Sequence, residues 1–262
     1  MLRAICFDLD GTLADTERLG HRPAYNRAFQ EAGLSWRWGP KLYRDLLRHP
    51  GGGRDRLRHY LSTYQPDWPE DAEVDPDNPE ALIQDLHTRK AAHFRALVQD
   101  GEVPLRAGVA RLLNEAGAVG IQLAIVSNAS RATVAAVLEH SIGSSLQDRL
   151  DLVLCGDEGF AKKPEPDLYL EALRRLAVDP LEAVAVEDSH LGLSAALTAN
   201  MATVVTLNAT TRDEDFSGAE LIVDSLGEPD APTTSANPPL KNGAWVTLDD
   251  LRAVQARHAA EA

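Results

Sequence analysis

The residues best equipped for chemistry stand at the ends of short apolar runs. Asp8-Leu9-Asp10-Gly11-Thr12-Leu13 follows the run that starts at Arg3, and Gly11 supplies a turn signal. Two carboxylates one residue apart at a strand end can enter one pocket as the chain leaves the sheet. Asp8 is then the candidate nucleophile, because a carboxylate attacking phosphorus splits hydrolysis into two easier displacements. Asp10 is the candidate acid and base, protonating the leaving alkoxide and then activating water, with its backbone carbonyl offered to a cation. Ser127-Asn128 follows the run 121–126 and presents a hydroxyl and a backbone N–H suited to a phosphoryl oxygen; the plainer role for Ser127 is a helix cap. Lys162-Lys163-Pro164-Glu165-Pro166 opens a helix-like stretch, and a lysine here could neutralise both Asp8 and an incoming phosphate. Pro164 pushes Lys163 towards extended backbone. Glu187-Asp188-Ser189 ends the run 183–186, where acidic groups can ligate a hard cation. Magnesium suits a few carboxylates completed by water and substrate oxygens. Asp8, the Asp10 carbonyl and Asp188 would supply that partial shell, with Glu187 ligating directly or through water.

Alternating elements must position these groups. Strand-like runs at 3–8, 121–127, 150–155, 183–186, 202–207 and 220–223 alternate with helix-like stretches at 109–119, 131–139, 166–176 and 191–199. Such alternation predicts parallel βαβ units covered on both faces, a doubly wound α/β fold. Three of the four motifs fall at the carboxyl ends of predicted strands, where open α/β sheets bind their ligands. Residues 17–99 break the rhythm, with helical patterns at 20–32, 42–47, 54–64 and 79–98 and no strand signal. The expected division is an α/β core of residues 1–15 and 100–262, with an all-helical cap of residues 16–99 inserted after the first strand. Acidic, proline-bearing 67–77 predicts a solvated loop. The stretch 227–243, rich in Pro, Thr and Asn, predicts a flexible surface excursion.

Bulk properties narrow the function. The chain has 262 residues, 44% apolar and 25% charged, which suits an ordinary globular protein with a sizeable core. A net charge of −14 argues against nucleic acid and against an anionic membrane surface. It leaves a small anionic substrate open, because metal and basic side chains set a site's local field. No run of about twenty apolar residues could span a bilayer. Cys6 and Cys155 each sit inside an apolar run and read as buried, reduced thiols. With no basic or signal-like opening, the expectation is a cytoplasmic enzyme; a monomer is expected.

Together the motifs resemble the haloacid dehalogenase superfamily, phosphatase branch, over nearly the whole chain. The resemblance implies magnesium, a phospho-aspartate intermediate and a cap that closes over substrate, and it selects Lys163, just before the proline, as the catalytic lysine. Asp10 argues against haloacid dehalogenation, and Asp8, Asp10, Lys163 and Asp188 together argue against a non-catalytic binder.

Within the cap, Gly51-Gly52-Gly53 precede a helix-like stretch that starts with Arg54. Backbone N–H groups of such glycines can approach an anion closely, and an arginine can clamp phosphate through two parallel hydrogen bonds. A second phosphate, remote from the one attacked, follows as an expectation. The run from Glu17 to Tyr25-Asn26, Trp36 with Trp38, and the triple glycine resemble the CbbY-like phosphatases, which act on xylulose 1,5-bisphosphate. By that resemblance Glu17, His21, Tyr43, the three glycines and Arg54 contact the sugar or its distal phosphate, with Arg54 standing where a lysine is common. A sugar-phosphate mutase of the β-phosphoglucomutase kind shares all four motifs. A phosphoglycolate phosphatase is a further alternative, although a two-carbon substrate gives the cap no second phosphate to grip.

Overall fold

The computed structural model describes residues 1–49, 51–68 and 79–262. The first part of the chain forms β1 (Ala4–Phe7), a π-helical turn (Thr16–His21), α1 (Arg22–Glu31), α2 (Pro40–Leu47), α3 (Gly53–Tyr64) and α4 (Glu80–Gln99). Next come α5 (Val109–Ala118), β2 (Gln122–Val126), α6 (Arg131–Val137), a second π-helical turn (Leu138–Ile142), α7 (Ser144–Gln147) and β3 (Leu152–Leu154). After α8 (Asp167–Leu176) and a 3-10 turn (Pro180–Glu182) lie β4 (Ala183–Glu187), α9 (His190–Thr198) and β5 (Ala202–Thr206). The chain finishes with β6 (Leu221–Val223), β7 (Ala236–Asn237) and α10 (Leu248–Glu261).

The strands form one sheet in the order β3-β2-β1-β4-β5-β6-β7, parallel except for the antiparallel β6–β7 pair. β1, β4 and β5 are buried at every position, as expected of strands covered on both faces. On one face Ala4, Cys6, Ala124, Val126 and Ala185 pack with Leu168, Tyr169, Ala172 and Leu173 of α8 and with Ala195 and Ala196 of α9. The chain steps outward from β1 through β2 to β3 and then returns to place β4 on the other side of β1. That reversal is a topological switch point, and crevices at such points hold ligands beyond the carboxyl ends of the strands. Register finishes the placement: Phe7 lies opposite both Ile125 and Val186, so Asp8 is level with Val126 and Glu187.

The chain divides into two compact units, Met1–Asp15 with Pro104–Ala262, and Thr16–Val103. The helical unit was expected to end at residue 99 and instead runs to Val103. Buried Val103 explains the extension, because it closes with Phe94 over Gly20, where an added Cβ would lie 2.6 Å from Phe94 and 3.3 Å from Val103. The interior of that unit is aromatic. Trp38 meets Tyr25, Phe29, Tyr43 and Tyr60 at centroid distances of 4.4 to 5.8 Å, contacts each worth about 0.5–1.5 kcal/mol beyond burial. Trp36 and Trp38 are therefore core residues. Of the loop expected at 67–77, only Asp67 and Trp68 fall within the described residues; the Asp67 carbonyl accepts from Trp36 Nε1 at 2.7 Å, and Trp68 packs edge-on against Trp36. Pro50 also falls outside them.

Two expectations for the α/β unit change. The stretch 227–243 contains β7, and residues 233–235 fold back onto the Asp224 carboxylate, which accepts from Thr234 N at 3.1 Å and Ser235 N at 3.3 Å. The closing helix α10 went unread, although Thr247 and Asp250 form its capping box, with Thr247 N donating to Asp250 at 2.9 Å and Asp250 N to Thr247 at 3.2 Å.

Arg106 ties the loops above the sheet. Its guanidinium donates to the carbonyl of Gly11, to those of Thr206 (3.2 Å) and Leu207 (2.6 Å), and to that of Asp224 (3.1 Å). Arg106→Met should lower unfolding free energy by about 2 kcal/mol, since a charged donor and its carbonyl partners are lost together. Chemical denaturation of the two proteins measures the difference, and an unchanged midpoint would contradict the assignment.

Candidate active site

Asp8, Lys163, Glu187 and Asp188 converge beyond the ends of β1 and β4, and all four are buried. Lys163 Nζ donates to Asp8 Oδ1 at 2.7 Å, to Glu187 Oε1 at 2.6 Å and to the Val126 carbonyl at 2.7 Å. Tyr169 OH, from α8, donates to the same Glu187 oxygen at 2.5 Å, and its ring lies 4.8 Å from the ammonium. Glu187 was expected as a cation ligand; here one of its oxygens holds Lys163. The helix that follows packs directly on this carboxylate, for a Cβ on Gly192 would lie 1.9 Å from Oε2. Tyr169 was not foreseen, because a tyrosine within an apolar helix pattern looks like any core aromatic.

Asp188 is held from the opposite side. Asn208 Nδ2 donates to Oδ2 at 2.6 Å, and the hydroxyls of Thr12 and Thr211 approach at 3.4 Å. Asn208 in turn accepts from Thr210 N at 2.7 Å and Thr211 N at 3.1 Å, which fixes its amide plane. Gly11 adopts φ +87°, and a Cβ there would meet Asp188 Oδ2 at 2.4 Å, so the Asp8–Thr12 loop needs glycine both for conformation and for space. Asp10, half-buried, is paired with Ala14 across this turn. Ser127 is buried at the end of β2, its oxygen accepting from Ala129 N at 3.0 Å. The side-chain amide of Asn128, whose backbone N–H was the group expected to meet a phosphoryl oxygen, bonds to the backbone of Lys163.

The electrostatics follow from crowding. Burial pushes the Asp8 carboxyl up to about 8, with Lys163 opposing and Glu187 and Asp10 reinforcing the rise. Burial also raises Asp188 well above the ordinary carboxylate range, helped by Asp8 and Glu187 and opposed by Arg106. For Lys163 burial acts downward, but Asp8 and Glu187 outweigh it, so the amine stays protonated. One ammonium cannot balance three carboxylates, and the cluster keeps a proton near neutrality. Carboxylate oxygens of Asp8, Glu187 and Asp188 lie within 4.8 Å of one another, a hard-oxygen set whose surplus charge a divalent cation would relieve. Neither cysteine is poised as a thiolate, because burial pushes the Cys6 thiol up to about 12 and that of Cys155 up to about 11.

The helical unit holds the other expected residues in two groups. Glu17 accepts from Tyr43 OH, and Arg56 donates to that hydroxyl at 3.3 Å with its guanidinium 5.5 Å from the ring. Arg54 is exposed, whereas Arg56, which the sequence reading passed over, is the arginine beside Glu17 and Tyr43. Two residues of helix separate them, enough to turn the side chain to a different face. Gly52 N donates to Asp55 at 2.8 Å and the Gly53 carbonyl accepts from Tyr25 OH at 3.0 Å, while Gly51 takes φ +122°. His21 belongs to a second group: it stacks on Phe94 at 4.1 Å, and its Nδ1 lies 2.8 Å from Lys90 Nζ.

A buried carboxylate–lysine cluster at the switch point of a parallel sheet, with a helical unit inserted after its first strand, suits a hydrolytic enzyme of the phosphoryl-transfer class. The chain belongs to the haloacid dehalogenase-like hydrolases, whose family model matches residues 2–200, and within them it is a phosphatase. The protein CbbY, plasmid, of Cupriavidus necator is 38% identical over 257 residues, 98% of this chain and 97% of that protein. The crystal structure of CbbY from Rhodobacter sphaeroides in complex with phosphate matches at 40% identity and a TM-score of 0.75, covering 86% of this chain and 95% of that one. A mutant of that protein in complex with xylulose-(1,5)bisphosphate matches with the same values. A beta-phosphoglucomutase of Mycobacterium bovis is 31% identical over 241 residues, 87% of this chain and 91% of that protein. No helix among the described residues is long and apolar enough to cross a membrane.

Proposed function

We propose that this phosphatase hydrolyses a small sugar phosphate, xylulose 1,5-bisphosphate, with magnesium and through a phospho-aspartate at Asp8. The observation that carries the reaction is the triple contact of Lys163 Nζ with Asp8, Glu187 and the Val126 carbonyl. It fixes the candidate nucleophile beside a permanent positive charge. An Asp8 oxygen attacks phosphorus, the ester P–O bond breaks, and Asp10 gives its proton to the departing alkoxide. Water then attacks the acyl phosphate and passes a proton to Asp10; the P–O bond to Asp8 breaks and phosphate leaves. Lys163 keeps its proton throughout and offsets the charge of nucleophile and phosphoryl group. Ser127 donates to a phosphoryl oxygen. Asp8, the Asp10 carbonyl, Asp188 and Glu187 are the residues that would hold magnesium, which when bound neutralises the charge of the phosphoryl group.

The substrate reading is supported by the relative that binds xylulose 1,5-bisphosphate at 40% identity. A bisphosphate also suits the helical unit, where the first turn of α3 carries exposed Arg54 next to the glycine run and Arg56 beside Tyr43 and Glu17. A mutase is the second reading, favoured by the 31% identity to a beta-phosphoglucomutase. Magnesium-dependent phosphate release from xylulose 1,5-bisphosphate, ribulose 1,5-bisphosphate, phosphoglycolate and β-glucose 1-phosphate separates them. Selective release from the first is expected. Preference for a monophosphate would overturn the substrate, and isomerisation of β-glucose 1-phosphate with little release would favour the mutase.

The raised Asp8 carboxyl also gives a metal-linked stability. Its folded value near 8 stands above the ordinary 3.8, so the folded protein keeps a proton that the unfolded chain loses across that interval. Stability of the metal-free protein from this group therefore falls as pH rises from about 4 through about 8. A divalent cation takes the proton's place. Magnesium should raise Tm more at about pH 8 than at about pH 5, and equal increments in thermal melts would contradict the cluster's role.

A further inference from the structure

Lys163 lies in no regular element, yet both polar groups of its backbone are held by one side chain. Asn128 Oδ1 accepts from Lys163 N at 2.9 Å, and Asn128 Nδ2 donates to the Lys163 carbonyl at 3.1 Å. A single amide thus gives Lys163 the paired bonding that a neighbouring strand would give. The tie is non-local, since 35 residues separate the two positions. The other end of the same lysine is anchored two residues before Asn128, where the Val126 carbonyl accepts from Nζ at 2.7 Å. The end of β2 therefore grips Lys163 at its backbone and again at its ammonium.

The grip is itself mounted on fixed backbone. Ser127 N donates to the Leu154 carbonyl at 3.1 Å and Gly156 N to the Ala129 carbonyl at 2.8 Å, tying residues 127–129 to the end of β3. Gly156 packs so closely that a Cβ there would sit 2.1 Å from the Asn128 carbonyl oxygen. With the far end of the lysine committed to Asp8 and Glu187 at 2.7 and 2.6 Å, a small shift of its Cα would break one contact or the other.

We infer that Asn128 is a positioning residue that sets where Lys163 stands, so that one ammonium reaches Asp8 and Glu187 together, and that its side chain makes no contact with substrate. This rests on the reading of Lys163 as the charge partner of Asp8. Asn128→Leu keeps the branched outline of the side chain and removes both amide bonds. Misplacement of a charged group by a fraction of an ångström to one ångström reduces turnover by about 10- to 100-fold. The expected result is a kcat lowered by about that factor, with KM and inhibition by inorganic phosphate changed less than about threefold and circular dichroism and Tm close to the parent. Should Asn128→Leu fail to fold, Asn128→Ser reads the same division between kcat and KM. A raised KM and weakened phosphate inhibition with kcat kept would make Asn128 a substrate contact and overturn the inference; so would unchanged kinetics. Lys163→Met, assayed beside it, separates the two layers. If that variant keeps full kcat, the role of Lys163 fails and Asn128 has nothing to position; if it is inactive while Asn128→Leu is unimpaired, only the role of Asn128 falls.

Discussion

Asp8→Asn is expected to abolish phosphate release, by about 10⁴-fold or more, while leaving the fold intact. The amide has nearly the same shape as the carboxylate but no charge with which to attack phosphorus. Removing a nucleophile removes a step, not a fraction of a barrier, so no rise in substrate concentration should recover the rate. Stability should move the other way. Asp8 is buried, and Glu187 and Asp10 both raise its carboxyl, so its charge is costly to the folded state. The neutral side chain relieves that crowding, and Tm in the absence of metal should stay level or rise above that of the parent at about pH 8. Thermal melts and phosphate-release assays on the same preparation check both halves. Activity within tenfold of the parent would rule out Asp8 as nucleophile.

Lys163→Met should cost both activity and stability. The ammonium is the cation shared by Asp8 and Glu187, at 2.7 and 2.6 Å, and all three groups are buried. Deleting one member of a buried ionic cluster and leaving the others uncompensated typically costs about 3–5 kcal/mol. Asp8, whose carboxyl Lys163 holds down, would respond by keeping its proton to still higher pH. The destabilisation should accordingly be larger at about pH 8 than at about pH 5, where a protonated Asp8 no longer needs the lysine. Turnover should fall by about 10³-fold, since charge stabilisation of this kind is commonly worth about 3–4 kcal/mol. Denaturant titrations at the two pH values test the first claim, and a pH-independent loss would contradict it.

Much of this site was legible because strand ends are easy to read. A run of buried apolar residues that stops at a carboxylate marks both the end of a strand and a group facing the rim of the sheet. Asp8, Glu187 and Asp188 were placed in this way, and the parallel register of β1 with β2 and β4 brings those ends to one level. The partners that hold the site were not legible. Asn208 and Tyr169 look like a polar loop residue and a core aromatic until the fold puts them against Asp188 and Glu187. Asn128 was singled out for its backbone N–H beside Ser127, and sequence spacing cannot show that its side-chain amide spans 35 residues to Lys163. Arg54 was singled out because it follows the glycines directly, and Arg56 was passed over. The helix starting at Gly53 leaves Arg54 exposed and sets Arg56 beside Tyr43. The short strand β7 lay hidden in a stretch whose Pro, Thr and Asn content signals loop. Two residues of strand carry no period to detect, and the bonds to Asp224 that secure the turn just before them are visible only in three dimensions.

The central claim is that phosphate passes through Asp8, and trapping the covalent intermediate tests it most directly. The enzyme turning over a phosphate ester labelled in the phosphoryl group, with magnesium present, would be quenched in acid within milliseconds and mapped by peptide mass spectrometry. A label is expected on the peptide containing Asp8, labile to hydroxylamine as an acyl phosphate is, and absent from the Asp8→Asn variant. Sustained phosphate release with label on no peptide, or on a residue other than Asp8, would contradict it.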